Sequence, residues 1–152
     1  MTTVDRWVDQ PGLDDLLVAY HLATEAEKGT PVASPADLPD RYRTEVDDPA
    51  TAFADDVVLL ATVAGAAAGC VVLTRTGDEV ELKRLWVAPA HRGRGVATAL
   101  ARRALAEADG LPVRLSVWHW RTGAIGLYER LGFTEAEPWD ARPGLLCLRR
   151  PA

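Results

Sequence analysis

Apolar and polar positions alternate along this chain in short blocks cut by glycine and proline. Val80, Leu82 and the run Leu85-Trp86-Val87 supply the β-branched and aromatic content of a mostly buried strand, closed by Ala88-Pro89. From Val96, the positions Ala97, Leu100, Ala101, Ala104 and Ala108 follow one face at the spacing of an amphipathic helix. Between them lies Arg92-Gly93-Arg94-Gly95, whose glycines open backbone conformations closed to other residues. This strand, turn and helix form the stretch around which the rest is arranged.

Upstream, Val4 to Val8 predicts a first strand, and Pro11-Gly12 precedes a helix from about Leu13 to Lys28, ended by Gly29 and Pro31. The stretch from Thr30 to Asp56 is polar and cut by Pro31, Pro35, Pro39 and Pro49, with a short helix expected over Leu38 to Val46. Val57 to Val63 and Ala67 to Arg75 read as a hairpin about Ala64-Gly65-Ala66, and Gly77-Asp78 turns the chain into the strand described first. Downstream come a strand over Val113 to Val117 and a helix over about Thr122 to Leu131. A strand pair over Phe133 to Trp139 and Leu145 to Arg149 closes the chain. The order is strand-helix-helix, three strands, helix, strand, helix, two strands.

Composition narrows the class. A chain of 152 residues with 48% hydrophobic and 26% charged side chains suits one domain over residues 1–152 with a real core. No apolar span is long enough to cross a bilayer, and Met1-Thr2-Thr3-Val4-Asp5 does not begin a secretory signal, so the cytoplasm and no membrane partner are expected. Cys70 and Cys147 sit in strand-like runs and read as buried reduced thiols. A net charge of −5 argues against a nucleic-acid partner. A local basic patch at Arg92, Arg94, Arg102 and Arg103 could still serve an anionic cofactor. Acidic side chains in the first third, Asp14, Asp15, Glu25, Glu27, Glu45, Asp47 and Asp48, either attract a cationic substrate or form a solvated surface. Neither serine stands in Gly-x-Ser-x-Gly, and the three histidines show no metal-ligand spacing with the cysteines, so neither a serine hydrolase nor a metal site is expected.

The glycine turn points to an anion. Unpaired N–H groups and the positive end of the dipole meet at a helix start, and glycine lets a ligand approach closely. A phosphate would sit on the turn from Arg92 to Ala97. No Gly-Lys-Ser/Thr follows, and the three-glycine dinucleotide fingerprint is absent.

Arg92-Gly93-Arg94-Gly95-Val96-Ala97 resembles the Arg/Gln-x-x-Gly-x-Gly/Ala motif of the GCN5-related N-acetyltransferases (GNAT). The segment Leu115 to Phe133, LSVWHWRTGAIGLYERLGF, is similar to that family's second signature. Both stand in the family's order, and the resemblance runs from about Val57 to Phe133. It implies an α/β fold with a mixed, mostly antiparallel central sheet of about seven strands flanked by about four helices. A splayed strand pair would form the cofactor cleft.

The resemblance also implies roles. Acetyl-CoA (coenzyme A) would be the cofactor, its arm bonded to the strand backbone at Leu85, Trp86 and Val87, and its phosphates on Arg92, Gly93, Arg94, Gly95, Val96, Ala97 and Thr98. Tyr128 stands at the family's tyrosine position, close to the coenzyme sulfur, as general acid. Glu81 stands where many members carry the glutamate that deprotonates the acceptor, with Glu79 or His119 as alternatives. Arg121 replaces the family's usual asparagine beside the cofactor arm. Tyr20, His21, Tyr42 and Phe53 are candidates for acceptor contact, with Trp118, His119 and Trp120 as further pocket residues. The function implied is direct acetyl transfer to a primary amine of a small molecule or amino acid derivative. A protein or peptide acceptor, a non-catalytic acyl-CoA-binding module and a homodimer stay open. A closed pocket built by Thr30 to Asp56 would favour a small acceptor, and an open groove a peptide.

Overall fold

A single sheet of seven strands in the order β1-β2-β3-β4-β5-β7-β6 runs through the computed structural model, which describes residues 1–152. The strands are β1 (Thr2–Arg6), β2 (Val57–Val63), β3 (Ala66–Thr76), β4 (Glu79–Val87), β5 (Val113–Trp118), β6 (Thr134–Glu135) and β7 (Leu145–Arg150). The helices are α1 (Leu13–Glu27), α2 (Asp40–Asp47), α3 (Pro49–Ala52), α4 (Val96–Ala108) and α5 (Thr122–Arg130). Every neighbouring pair is antiparallel except β4 with β5, the two strands that α4 connects. A parallel pair needs such a crossover. The expected fold class is therefore observed, with five α-helices in place of about four.

Two apolar clusters fill the two faces of the sheet. Leu59, Ala61, Val71, Leu73, Val80 and Leu82 pack with Val96, Leu100 and Ala104 of α4 and Tyr128 of α5. On the opposite face Val58, Leu60, Cys70 and Val72 pack with Leu13, Leu16 and Leu17 of α1 and with Phe53. Phe53 is 5% exposed and belongs to this core, which removes it from the acceptor contacts expected of it. Both cysteines are buried free thiols, and burial pushes the Cys70 thiol up to about 12 despite nearby Arg84.

The strand expected over Phe133 to Trp139 shrinks to Thr134–Glu135. Pro138 offers no N–H to a ladder, and pairing with β7 ends on Ala136 N–H donating to Cys147 O at 2.8 Å.

The centre of the sheet holds the irregularity that matters. Between Cys70/Val72 on β3 and Lys83/Trp86 on β4 the register shifts, with Arg84 at φ 61 in the left-handed region. A side chain in that region marks local strain or a designed kink. The bulge also reverses the strand's parity, so that Leu85 and Val87 rejoin the face used by Val80 and Leu82 while Trp86 turns to the α1 side. β4 pairs with β5 only through Val80, Glu81 and Leu82, and beyond the bulge the two strands part.

Gly69 faces this bulge across the sheet. A Cβ there would stand 2.8 Å from Trp86 O, 3.0 Å from Leu100 Cδ1 and 3.3 Å from Val96 Cγ1. Gly69→Ala is expected to destabilise the protein by about 1–3 kcal/mol, read as a lowered Tm, because backbone stands in the way and cannot rotate aside. An unchanged Tm would mean that the sheet relaxes freely here.

Candidate active site

The parted strands open into a cleft of about 1260 Å³. Its floor is the β4 backbone from Lys83 to Val87, hydrogen-bonded to β3 on one side and without a strand partner on the other. Such an edge presents N–H and C=O groups to whatever fills the slot. At one end lies the turn into α4, where Gly93 and Gly95 have φ 76 and 79 and open space where a Cβ would stand. The start of α4 carries no side-chain cap, so the amides of Val96, Ala97 and Thr98 face the cleft as bare donors. A backbone edge followed by an uncapped, glycine-lined helix start fits a long amide-bearing ligand that ends in phosphate.

Of the residues expected to hold such a ligand, Leu85, Trp86, Val87, Arg92, Gly93, Gly95, Val96, Ala97 and Thr98 line the cleft. Arg94 is exposed and does not. Arg92 folds back along the strand, its Nε donating to Val87 O at 3.0 Å and its guanidinium 4.6 Å above the Trp86 ring. Arg103, counted with the basic patch by sequence, donates to Val4 O and pairs with Glu107 away from the cleft.

Tyr128 is buried, lines the cleft, and meets Phe133 edge to face at 5.6 Å. Burial, helped by the nearby Tyr20 phenol and opposed by Arg121, pushes its hydroxyl well above the ordinary phenol value. It stays protonated across the neutral range. Glu81 lies on the opposite face, since strand neighbours alternate and Val80 and Leu82 point into the α4 cluster. Its carboxylate is 32% exposed, lines the cleft, and sits 3.3 Å from Arg114 Nη2. Glu79 is engaged by both Arg114 and Arg149 and does not line the cleft.

The remaining candidates divide. Tyr20, Trp118 and Trp120 line the cleft, and Trp118 stacks on Trp120 at 4.9 Å with the planes 6° apart. The chain leaves the β5 strand at Trp118, so a turn rather than strand alternation brings the two indoles together. His119 packs on Gly144, whose carbonyl accepts from the His119 N–H, and does not line the cleft. His21 is 2% exposed, stacked on Tyr42 at 4.6 Å, with Nε2 donating to Glu45 Oε1 at 2.9 Å. It lines the cleft and braces the wall that Tyr42 forms there. Arg121, which stands at the family's asparagine position, lines the cleft and crosses to α1, donating to Glu27 Oε2 at 2.6 Å and Thr24 Oγ1 at 2.7 Å.

Sequence reasoning missed the clamp under the site. Arg84 donates through Nε and Nη2 to both oxygens of Glu45, at 2.9 and 2.8 Å. Burial alone would raise the Glu45 carboxyl, but Arg84 and His21 outweigh it and hold it down at about 2. This ties α2, and with it the region from Thr30 to Asp56, to the bulge of β4. Three of the acidic side chains of the first third are thus committed to ion pairs: Glu25 to Lys28, Glu27 to Arg121, and Glu45 to Arg84. One signal was visible in sequence, since Arg84 shares parity with Val80 and Leu82 and a regular strand would have sent its charge into the core.

No helix is long and apolar enough to cross a membrane. Residues 18–133 match the model of the acetyltransferase (GNAT) family. Mycothiol acetyltransferase of Nocardia farcinica is 41% identical over 76 residues, which is 49% of this chain and 25% of that protein. The chain thus spans about a quarter of the length of that curated relative. The N-acetyltransferase PaiA of Thermoplasma acidophilum, solved in complex with coenzyme A, superposes with a TM-score of 0.72 at 15% identity, over 100% of this chain and 99% of that one. A GNAT family acetyltransferase of Elizabethkingia anophelis with acetyl-CoA bound gives 0.69 at 17% identity, over 99% and 98%. With the family model spanning most of its length and the fold in agreement, the chain belongs to the GNAT acetyltransferases.

Proposed function

We propose that the chain is a single acetyltransferase domain that carries an acetyl group from acetyl-CoA directly to the primary amine of a small molecule. The observation that carries this reading is the placement of Tyr128 and Glu81 on opposite faces of one slot between β4 and β5. The cofactor supplies an acyl thioester. The bare β4 edge holds its amide-bearing arm, and the start of α4 holds its phosphates.

The acceptor amine is mostly protonated near neutral pH, and only the neutral form attacks. Glu81, directly or through water, accepts that proton from the acceptor face. As the nitrogen–carbon bond forms and the carbon–sulfur bond breaks, the Tyr128 hydroxyl gives its proton to the departing sulfur. Glu81 has then gained one proton and Tyr128 has lost one, so the cycle balances once both exchange with solvent. The buried environment of Tyr128 suits it to donate, because its proton is never lost beforehand at working pH.

A small acceptor is favoured over a peptide because side chains of α2 and of the segment before β7 both occupy the acceptor end of the cleft. Tyr42 of α2 and Arg142 of the segment before β7 both line the cleft.

The test is thiol release from acetyl-CoA against amines, amino acids, polyamines, aminoglycosides and peptides, with calorimetric binding of acetyl-CoA alongside. Acceptor-dependent release that is strongest with small amines supports the reading. Strongest release with peptides would transfer it to the peptide alternative, and tight binding with no release to a binding module. Glu81→Gln is expected to lower kcat about a hundredfold at neutral pH, with the deficit shrinking as pH rises and more acceptor is neutral. A deficit independent of pH would remove the base role.

A further inference from the structure

The charge of the cleft runs against that of the chain. The whole sequence carries −5, yet the cleft is lined by eight arginines and lysines against four carboxylates. Three of the guanidiniums converge on one phenol at the acceptor end. Arg41 Nη2 donates to Tyr42 Oη at 3.1 Å, and its guanidinium lies 4.6 Å from the Tyr42 ring. Arg84 lies 5.5 Å from the same ring, and Arg142 interacts with the same phenol while covering Trp118 at 5.5 Å.

Their donors are incompletely used. Arg84 spends Nε and Nη2 on Glu45, and Arg142 spends Nε and Nη2 on Asp140. The Nη1 group of Arg84 has no hydrogen-bond partner in the protein, and Arg41 has no carboxylate partner at all. The cluster therefore carries one more positive charge than the protein neutralises. Guanidiniums present planar pairs of donors that match a carboxylate.

The same cluster disfavours a polycation. Aromatic faces would be the usual seat for an ammonium. Here Arg84 and Arg121 cover Tyr20, Arg92 covers Trp86, Arg142 covers Trp118, and Arg114 covers Trp139. Nearby fixed positive charge also favours the neutral form of the attacking amine.

Resting on the transferase reading above, we infer that the acceptor is an amine that also carries a carboxylate, held by Arg41, Arg84 and Arg142 around Tyr42. An amino acid or a short amino-carboxylic acid has this chemistry. The geometry assigns the carboxylate to the Tyr42 end and leaves the amine to point toward Glu81 and the slot.

The experiment compares kcat/KM for amino-carboxylic acids and their matched carboxamides by thiol release, with phosphoethanolamine, a polyamine and an aminoglycoside as further arms. Acids are expected to exceed their amides by about tenfold to a hundredfold, the range of hydrogen bonds to a charged group. Arg41→Gln and Arg142→Gln should each narrow that ratio by raising KM for the acid, and both positions are exposed or half-buried enough for circular dichroism to verify an intact fold. Amides equal to acids, or preference for the polyamine, the aminoglycoside or the phosphorylated amine, would overturn the carboxylate assignment and leave the transferase standing. So would a protein that binds acetyl-CoA and releases thiol with none of the carboxylated amines. Failure to bind acetyl-CoA at all would instead overturn the reading beneath it.

Discussion

Tyr128→Phe is expected to lower kcat by about a hundredfold to ten-thousandfold while acetyl-CoA binding, measured by calorimetry, stays within about twofold. The substitution keeps the ring that packs on Phe133 and removes only the hydroxyl. Its effect separates two roles for a buried tyrosine. A phenol that merely fills the core would leave turnover intact, and the loss would appear in Tm. A phenol that protonates the departing sulfur would leave Tm nearly unchanged and take the loss in kcat. The pH profile adds a second reading. Because burial holds the hydroxyl above its ordinary 10.0, the wild-type rate should not fall on the alkaline side until pH passes that value. An alkaline fall below it would place another group in the acid role.

The second large effect is on stability. Glu45→Gln removes the charge that Arg84 and His21 share, leaving a guanidinium whose side chain is only 19% exposed without its counterion. A buried pair broken on one side costs about 3–5 kcal/mol, far above the value of a surface ion pair. Chemical denaturation should show that loss, with Cm falling and m unchanged. The same group sets a pH dependence. The folded pKa of Glu45 is depressed from 4.5 to about 2, so its contribution is complete above the unfolded value. It is lost as pH falls from about 4.5 toward 2. In Glu45→Gln this part of the acid unfolding should disappear. A variant as stable as wild type, with the same acid limb, would mean that the clamp contributes nothing.

These predictions rest on features of unequal visibility in sequence. β2, α4 and the start of α5 lie where the apolar pattern places them, because the run Val57 to Val63 is buried on both faces of the sheet and Val96 to Ala108 bury one helix face. The strand expected over Phe133 to Trp139 is cut short in the fold, where Pro138 has no N–H to extend the ladder. The bulge at Arg84 was half legible. Its parity conflict could be seen, but what accommodates the charge could not, since Glu45 lies 39 residues away. Arg121 shows the same limit: its partners Glu27 and Thr24 lie more than 90 residues back, on a helix that sequence alone cannot orient against α5. Local spacing identifies elements and motifs, whereas ion pairs across the fold depend on packing that spacing does not encode.

The clamp and the slot also belong together energetically. A left-handed backbone at a residue other than glycine costs on the order of 1–2 kcal/mol, and the Glu45 pair stabilises the side chain of that same residue. Beyond this residue β4 no longer pairs with β5. The wall that α2 forms and the open edge of β4 are thereby joined through Arg84.

The most direct test of this arrangement is a crystal structure of the protein with acetyl-CoA. The account predicts the coenzyme arm along β4 from Lys83 to Val87, its phosphates on the amides of Val96 to Thr98, and its sulfur within about 3.5 Å of the Tyr128 hydroxyl. Coenzyme bound outside the slot, or a sulfur remote from Tyr128 with the thioester turned away from the Glu81 face, would contradict it.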